Sequence, residues 1–225
     1  KKSKLKNKMQ LLCFDLDNTL VHSTKAHLKA LQKSFKKNRL KIKTNKEIIE
    51  FFSLESSELV KNLYPNLKKE DIQKVVIDHD LFLIKETKKY AKIIPGAKET
   101  LKELKKEYNI AIISNCKHKE IIAILKASKI TKDHFDRIIG NDQVKHPKPA
   151  PDEIIKAKQL LKVSEGYMIG DSIYDIIAGK RAKFKTIAVL TGNHTKSQLQ
   201  KEKPYKILKS VKEIPSFLKA QSHKP

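Results

Sequence analysis

The chain opens on a short, mainly apolar run, "MQLLCF" at 9–14, which meets charge and turn residues at once and reads as a strand buried on both faces. From Thr24 to Lys92 the spacing changes. Apolar residues recur every three or four positions, as in Leu28, Leu31 and Phe35, or Ile72, Val75, Val76, His79 and Leu83, so this block predicts amphipathic helices and no strand. After Pro95 and Gly96 the chain alternates between the two periods. The pattern predicts helix 97–107, strand 110–113, helix 119–128, strand 137–139, helix 152–162, strand 166–170, helix 174–181, strand 186–190, a short strand near "KIL" and helix 210–219. Strands separated by helices of this length connect by right-handed crossovers. The fold class expected is therefore α/β: a doubly wound parallel sheet formed by 1–22 and 93–225, carrying a helical insert over 23–92.

Composition narrows the setting. The chain has 225 residues, 39% of them apolar, enough for one core and a smaller lobe. No apolar run reaches the ~20 residues that cross a bilayer, and the basic opening "KKSKLKNKMQLLCFD" is broken by Asp15 and lacks a small-residue cleavage site, so the expectation is a cytoplasmic protein with no membrane partner. Its first eight residues read as a frayed tail. Cys13 and Cys116 match neither a disulfide framework nor a zinc spacing and read as free thiols filling space. The formal charge is +24, but Arg39, Arg137 and Arg181 are the only arginines, and the lysines are spread along the chain without interleaved aromatics. This disfavours base readout and single-strand stacking, leaving nucleic acid an improbable partner.

In a parallel sheet, ligands sit beyond the carboxyl ends of the strands. Here those ends are polar: Asp15-Leu16-Asp17-Asn18-Thr19, then Ser114-Asn115, then Asp171-Ser172 with Asp175 four residues past Asp171. Lys148 lies in the proline-stiffened "HPKPAPD". Asp15 and Asp17, two apart on extended chain with α-carbons about 6.6 Å apart, face the same way. Gathering Asp15, Asp17 and Asp171 without a cation would raise at least one of their pKa values. A hard, all-oxygen donor set suits Mg²⁺. A carboxylate nucleophile, a second carboxylate, a hydroxyl, a lysine and Mg²⁺ fit phosphoryl transfer: Asp15 attacks phosphorus in line, and Asp17 protonates the leaving oxygen and later activates water.

In order and spacing, "DLDNTL", "SN", "KPAP" and "GDSIYD" resemble the four motifs of the haloacid dehalogenase superfamily of phosphatases, over about 9–219. The resemblance implies Asp15 as nucleophile and metal ligand, Asp17 as general acid/base and metal ligand through its main-chain carbonyl, and Asp171 as a metal ligand. It implies that Ser114 and Lys148 hold the phosphoryl group, that Thr19 and Asn115 add hydrogen bonds to phosphate or loop, and that Asp175 supports the metal site through water or Lys148. The insert between the first two motifs resembles the cap of phosphoglycolate phosphatase-like members. Two positions depart from the pattern: Asn18 stands where Gly is frequent, and His22 where an acidic residue is common.

The expected function is hydrolysis of a small phosphorylated metabolite. Rival readings are a phosphatase of nucleotides or nucleic-acid ends, a sugar-phosphate mutase, and a non-enzymatic nucleic-acid-binding module. His22, His118 and His146 flank the motifs and read as surface or supporting residues. No segment of the insert reads as a substrate loop, and the sequence does not fix the oligomeric state.

Overall fold

The computed structural model describes residues 10–222; the expected frayed tail lies outside them. Six parallel strands form the central sheet in the order β5-β4-β1-β6-β7-β8. They are β1 (Gln10–Phe14), β4 (Asn109–Ser114), β5 (Arg137–Gly140), β6 (Glu165–Gly170), β7 (Lys185–Val189) and β8 (Lys206–Leu208). β1 sits between β4 and β6, with Phe14 in register with Ile112 on one side and Ile169 on the other. An interior strand has both faces covered, and so β1 is a continuous apolar run rather than an alternating one.

Its alternate residues serve different cores. Leu12 and Phe14 pack with Leu101 of α5 (Ala97–Leu104), Ile121 and Ile124 of α6 (His118–Ala127), and Ile214 of α10 (Ile214–Ser222). Leu11 and Cys13 pack on the other face with Ile154 of α7 (Asp152–Leu161) and Ala178 of α8 (Ile173–Arg181). The chain runs outward from β1 through β4 to β5, then returns to β6 on the opposite side. That reversal opens a crevice at the carboxyl end of β1.

Between β1 and α5 lie four helices: α1 (Thr24–Lys37), α2 (Asn45–Glu50), α3 (Ser56–Leu63) and α4 (Lys69–Tyr90). They share a core of their own, built on Leu28, Leu31, Phe35, Ile48, Val60 and Val75. The apolar spacing dictates this, since each helix has one apolar stripe to bury. The all-helical expectation for the block missed one feature. Val21–His22 (β2) and Lys92–Ile93 (β3) pair antiparallel where the chain enters and leaves the insert. Two-residue strands are too short to show alternation. Near the C-terminus, α9 (Lys196–Lys201) was likewise too short to read, and the expected helix 210–219 is a 3₁₀ turn, Val211–Glu213, running into α10. Among the described residues no helix is long and apolar enough to cross a membrane.

Candidate active site

Asp15 follows β1, and its backbone N–H continues the ladder to the Ile169 carbonyl at 2.8 Å. The next turn reverses the chain: Leu20 and Val21 donate to the Leu16 carbonyl, and Asn18 adopts φ 58°. Asn tolerates this left-handed conformation, which explains how it serves where Gly is frequent.

Lys148 reaches from the loop before α7 into the buried centre of the crevice. Its Nζ donates to Asp15 Oδ1 at 2.7 Å, Asp175 Oδ1 at 2.6 Å and the Ile113 carbonyl at 3.1 Å. Asp175 Oδ2 accepts from the Ser172 hydroxyl at 2.6 Å and the Ser172 N–H at 3.0 Å, in the capping box of α8. Asp175 therefore acts through Lys148 and is itself saturated. Asp171 accepts from Thr19 Oγ1 at 3.2 Å. Thr19 is fully buried, so it holds the loop to Asp171 instead of facing the crevice. One oxygen each of Asp15, Asp171 and Asp175 lies within 4.8 Å of the others.

This packing of like charges shows in their acidities. Burial, offset only in part by the Lys148 charge, together with Asp175 and Asp17, pushes Asp15 up to about 7. Burial and the Asp15 charge raise Asp171 well above the usual carboxylate range. Lys148 is raised, since its two carboxylates outweigh desolvation. The donors are all oxygen, and among the described residues no hydrogen bond occupies Oδ2 of Asp15 or Oδ2 of Asp171. Buried, oxygen-only carboxylates in mutual repulsion, with Asp171 Oδ2 open, fit a hard divalent cation.

Asp17 stands apart. Its Oδ1 accepts from the Ser23 hydroxyl and lies 3.2 Å from His27 Nε2, and its Oδ2 accepts from Cys116 Sγ at 3.2 Å. Burial acts to raise its pKa, but the His27 charge and the bonds from His27, Ser23 and Cys116 hold it below the usual range. The same contact raises the Cys116 thiol, whose burial does the most. Cys116 is thus buried, as expected of a filler, but it touches the second carboxylate directly.

Ser114 ends β4, is 1% exposed, and accepts the Cys116 N–H at 3.1 Å. Asn115 donates to the Lys148 carbonyl at 3.0 Å and to the Ser53 carbonyl at 2.9 Å, tying the core to the turn between α2 and α3. Phe52, Ser53 and Leu54 of that turn line the crevice with Asp15, Ser114 and Lys148. The insert therefore places a segment at the site that the sequence did not mark. His22 and His146 are exposed and His118 is half-buried, as expected of surface or supporting residues.

His27 was missed. Its signal was present: a histidine on the apolar stripe of α1, beside Ala26 and Leu31. Gly192 was missed too. A Cβ there would lie 1.6 Å from Asp171 Oδ2, so only glycine lets the loop after β7 pass this close.

The family profile of haloacid dehalogenase-like hydrolases matches residues 12–189. The chain belongs to that family and is a hydrolase. It is 30% identical over 190 residues to the phosphoglycolate phosphatase of Aquifex aeolicus, covering 82% of this chain and 86% of that protein. It is 35% identical over 119 residues to the pyrophosphatase PpaX of Bacillus mycoides, covering 52% and 55%. A hydrolase from Pseudomonas syringae shares the fold, with a TM-score of 0.84 at 22% identity over 94% of this chain and 98% of that one.

Proposed function

We propose that the protein is a Mg²⁺-dependent phosphatase that hydrolyses a small phosphomonoester through an aspartyl-phosphate on Asp15. The observation that carries this reading is the buried Asp15–Lys148–Asp175 array, with Asp171 beside it and Asp17 held separately. Lys148 binds one oxygen of Asp15 and leaves the other to attack phosphorus. Ser114 and the Lys148 ammonium offer donors to the phosphoryl oxygens. Asp15, Asp171 and the main-chain carbonyl of Asp17 would hold Mg²⁺. Bound there, the ion offsets charge on the phosphoryl group.

In this arrangement Asp17 is held ionised, the form that accepts a proton from attacking water. The proton that the leaving oxygen needs is available from the Asp17–His27 pair, where the ring nitrogen faces the carboxylate at 3.2 Å. Helices α1–α4 act as a cap over 23–92, and the turn at Phe52–Leu54 shields the intermediate from bulk water. The small, roofed crevice favours a small substrate over a nucleic-acid end. Relatives named for phosphoglycolate and pyrophosphate make these two compounds the first to try.

The test is release of phosphate from a panel of phosphomonoesters and pyrophosphate, with and without Mg²⁺. Activity is expected only with the metal, and Asp15→Asn is expected to lower it at least about a thousandfold. Near wild-type turnover in that variant would remove the nucleophile, and transfer to a second sugar phosphate in place of water would identify a mutase.

A further inference from the structure

A second cluster of buried ligand atoms lies at the edge of the crevice, which His79 helps to line, where α4 of the insert meets α6 of the core. His79, Asp80 and Glu120 are each 2% exposed. One donor atom from each lies within 4.8 Å of the other two. His79 Nδ1, Asp80 Oδ1 and Glu120 Oε1 have no hydrogen-bond partner among the described residues. His79 and Glu120 both face Asp80, and a buried polar atom left without a full partner costs about 1–3 kcal/mol, so a group that satisfies all three would stabilise the cluster.

Their other polar atoms are all engaged. His79 Nε2 faces His27 Nδ1 at 3.4 Å. Asp80 Oδ2 accepts from Lys117 Nζ at 2.7 Å, with Lys119 Nζ at 3.6 Å. Glu120 Oε2 accepts the Lys117 N–H at 2.7 Å. Each residue is therefore oriented by one atom and keeps a second donor atom for another partner, which is how outer-shell contacts fix metal ligands. Consecutive helix residues normally diverge. Yet His79 Nδ1 and Asp80 Oδ1 come within 3.5 Å. The edge of a tetrahedron with metal–ligand bonds of 2.0–2.1 Å is about 3.4 Å.

We propose that His79 Nδ1, Asp80 Oδ1 and Glu120 Oε1 bind a divalent transition-metal ion of the zinc type, which staples the helical insert to the core. One imidazole nitrogen with two carboxylate oxygens selects such an ion over Mg²⁺ or Ca²⁺. The cation would hold His79, whose Nε2 faces His27 Nδ1 at 3.4 Å, while His27 Nε2 lies 3.2 Å from Asp17 Oδ1. The staple thus ends on the second carboxylate of the crevice while remaining separate from the Asp15 and Asp171 site.

The experiment is calorimetric titration of Zn²⁺ into chelator-stripped protein held in excess Mg²⁺. One zinc per chain is expected, with affinity at least tenfold weaker in His79→Gln and in Glu120→Gln and unchanged in Asp171→Asn and Cys116→Ser. Zinc-edge X-ray absorption on the wild-type protein is expected to show one imidazole with oxygen ligands and no sulfur. That measurement decides the matter even if a variant fails to fold. Three results would overturn the proposal: no zinc uptake, as when Asp80 and Glu120 simply share a proton; sulfur in the shell, which would move the ion to Cys116; or full affinity in both the His79 and Glu120 variants. None of these readouts depends on phosphatase activity.

Discussion

Lys148 shows how much one buried charge sets at the site. It holds Asp15 and Asp175 at 2.7 and 2.6 Å and is itself only 4% exposed. Lys148→Met would leave two carboxylates buried without their cation, and removing one partner of such an array costs about 3–5 kcal/mol. A urea melt without Mg²⁺ is expected to show a loss of that size, recovered in part when Mg²⁺ is added. Glu153 follows in the first turn of α7 and has no exposed surface. Burial, opposed by the Lys148 charge, pushes it up to about 7 from 4.5. Its folded pKa is raised, so the stability it contributes is full below about 4.5 and is lost as pH rises through about 7. Glu153→Gln is expected to flatten that fall, with a stability difference from wild type that changes by on the order of 3 kcal/mol between pH 4.5 and 8 in chemical denaturation. The sequence showed Asp15, Lys148, Asp171 and Asp175 because motif order is a strong signal. Glu153 could not be read, since a glutamate at a helix start has an ordinary reason to be there.

At the level of elements, the loops after β1, β4, β6 and β7 converge because all four strands are parallel and neighbouring. Gly192 lets the last of these close on Asp171. Gly192→Ala is expected to fold and to lose turnover by about 100-fold, the cost of displacing a reacting group by an ångström, with a higher Mg²⁺ requirement measured in the same assay. Strand and helix periods exposed the sheet and its crossovers. They could not expose β2 and β3, which have two residues each, nor the turn at Phe52–Leu54. That turn closes through local backbone bonds and is docked on the core by the Asn115 bond to Ser53 across 62 residues, and long-range contacts of this kind leave no local period. His27 and His79 sat visibly on apolar stripes, but only the packing of α1 on α4 turns two core-facing histidines into a connected pair.

The whole molecule carries +24, yet the crevice lining is small and partly apolar, with Phe52, Leu54 and Leu59 among its walls. A diffuse field of exposed lysines steers anions without gripping a polymer. Raising salt from about 50 to 200 mM is expected to slow hydrolysis of a small phosphomonoester by less than about fivefold, whereas a nucleic-acid substrate held by six to ten phosphate contacts would lose about 10³–10⁵ in affinity. Stopped-flow rates at both salts check this.

The pairing of Val21–His22 with Lys92–Ile93 has a structural corollary. Exit and re-entry lie side by side, at the spacing of an ordinary hairpin, about 5 Å. Exchanging the intervening helices at this joint is therefore expected to leave the register of the main sheet intact, at the loss of the α4 packing on α6 and of Ser23 and His27 beside Asp17.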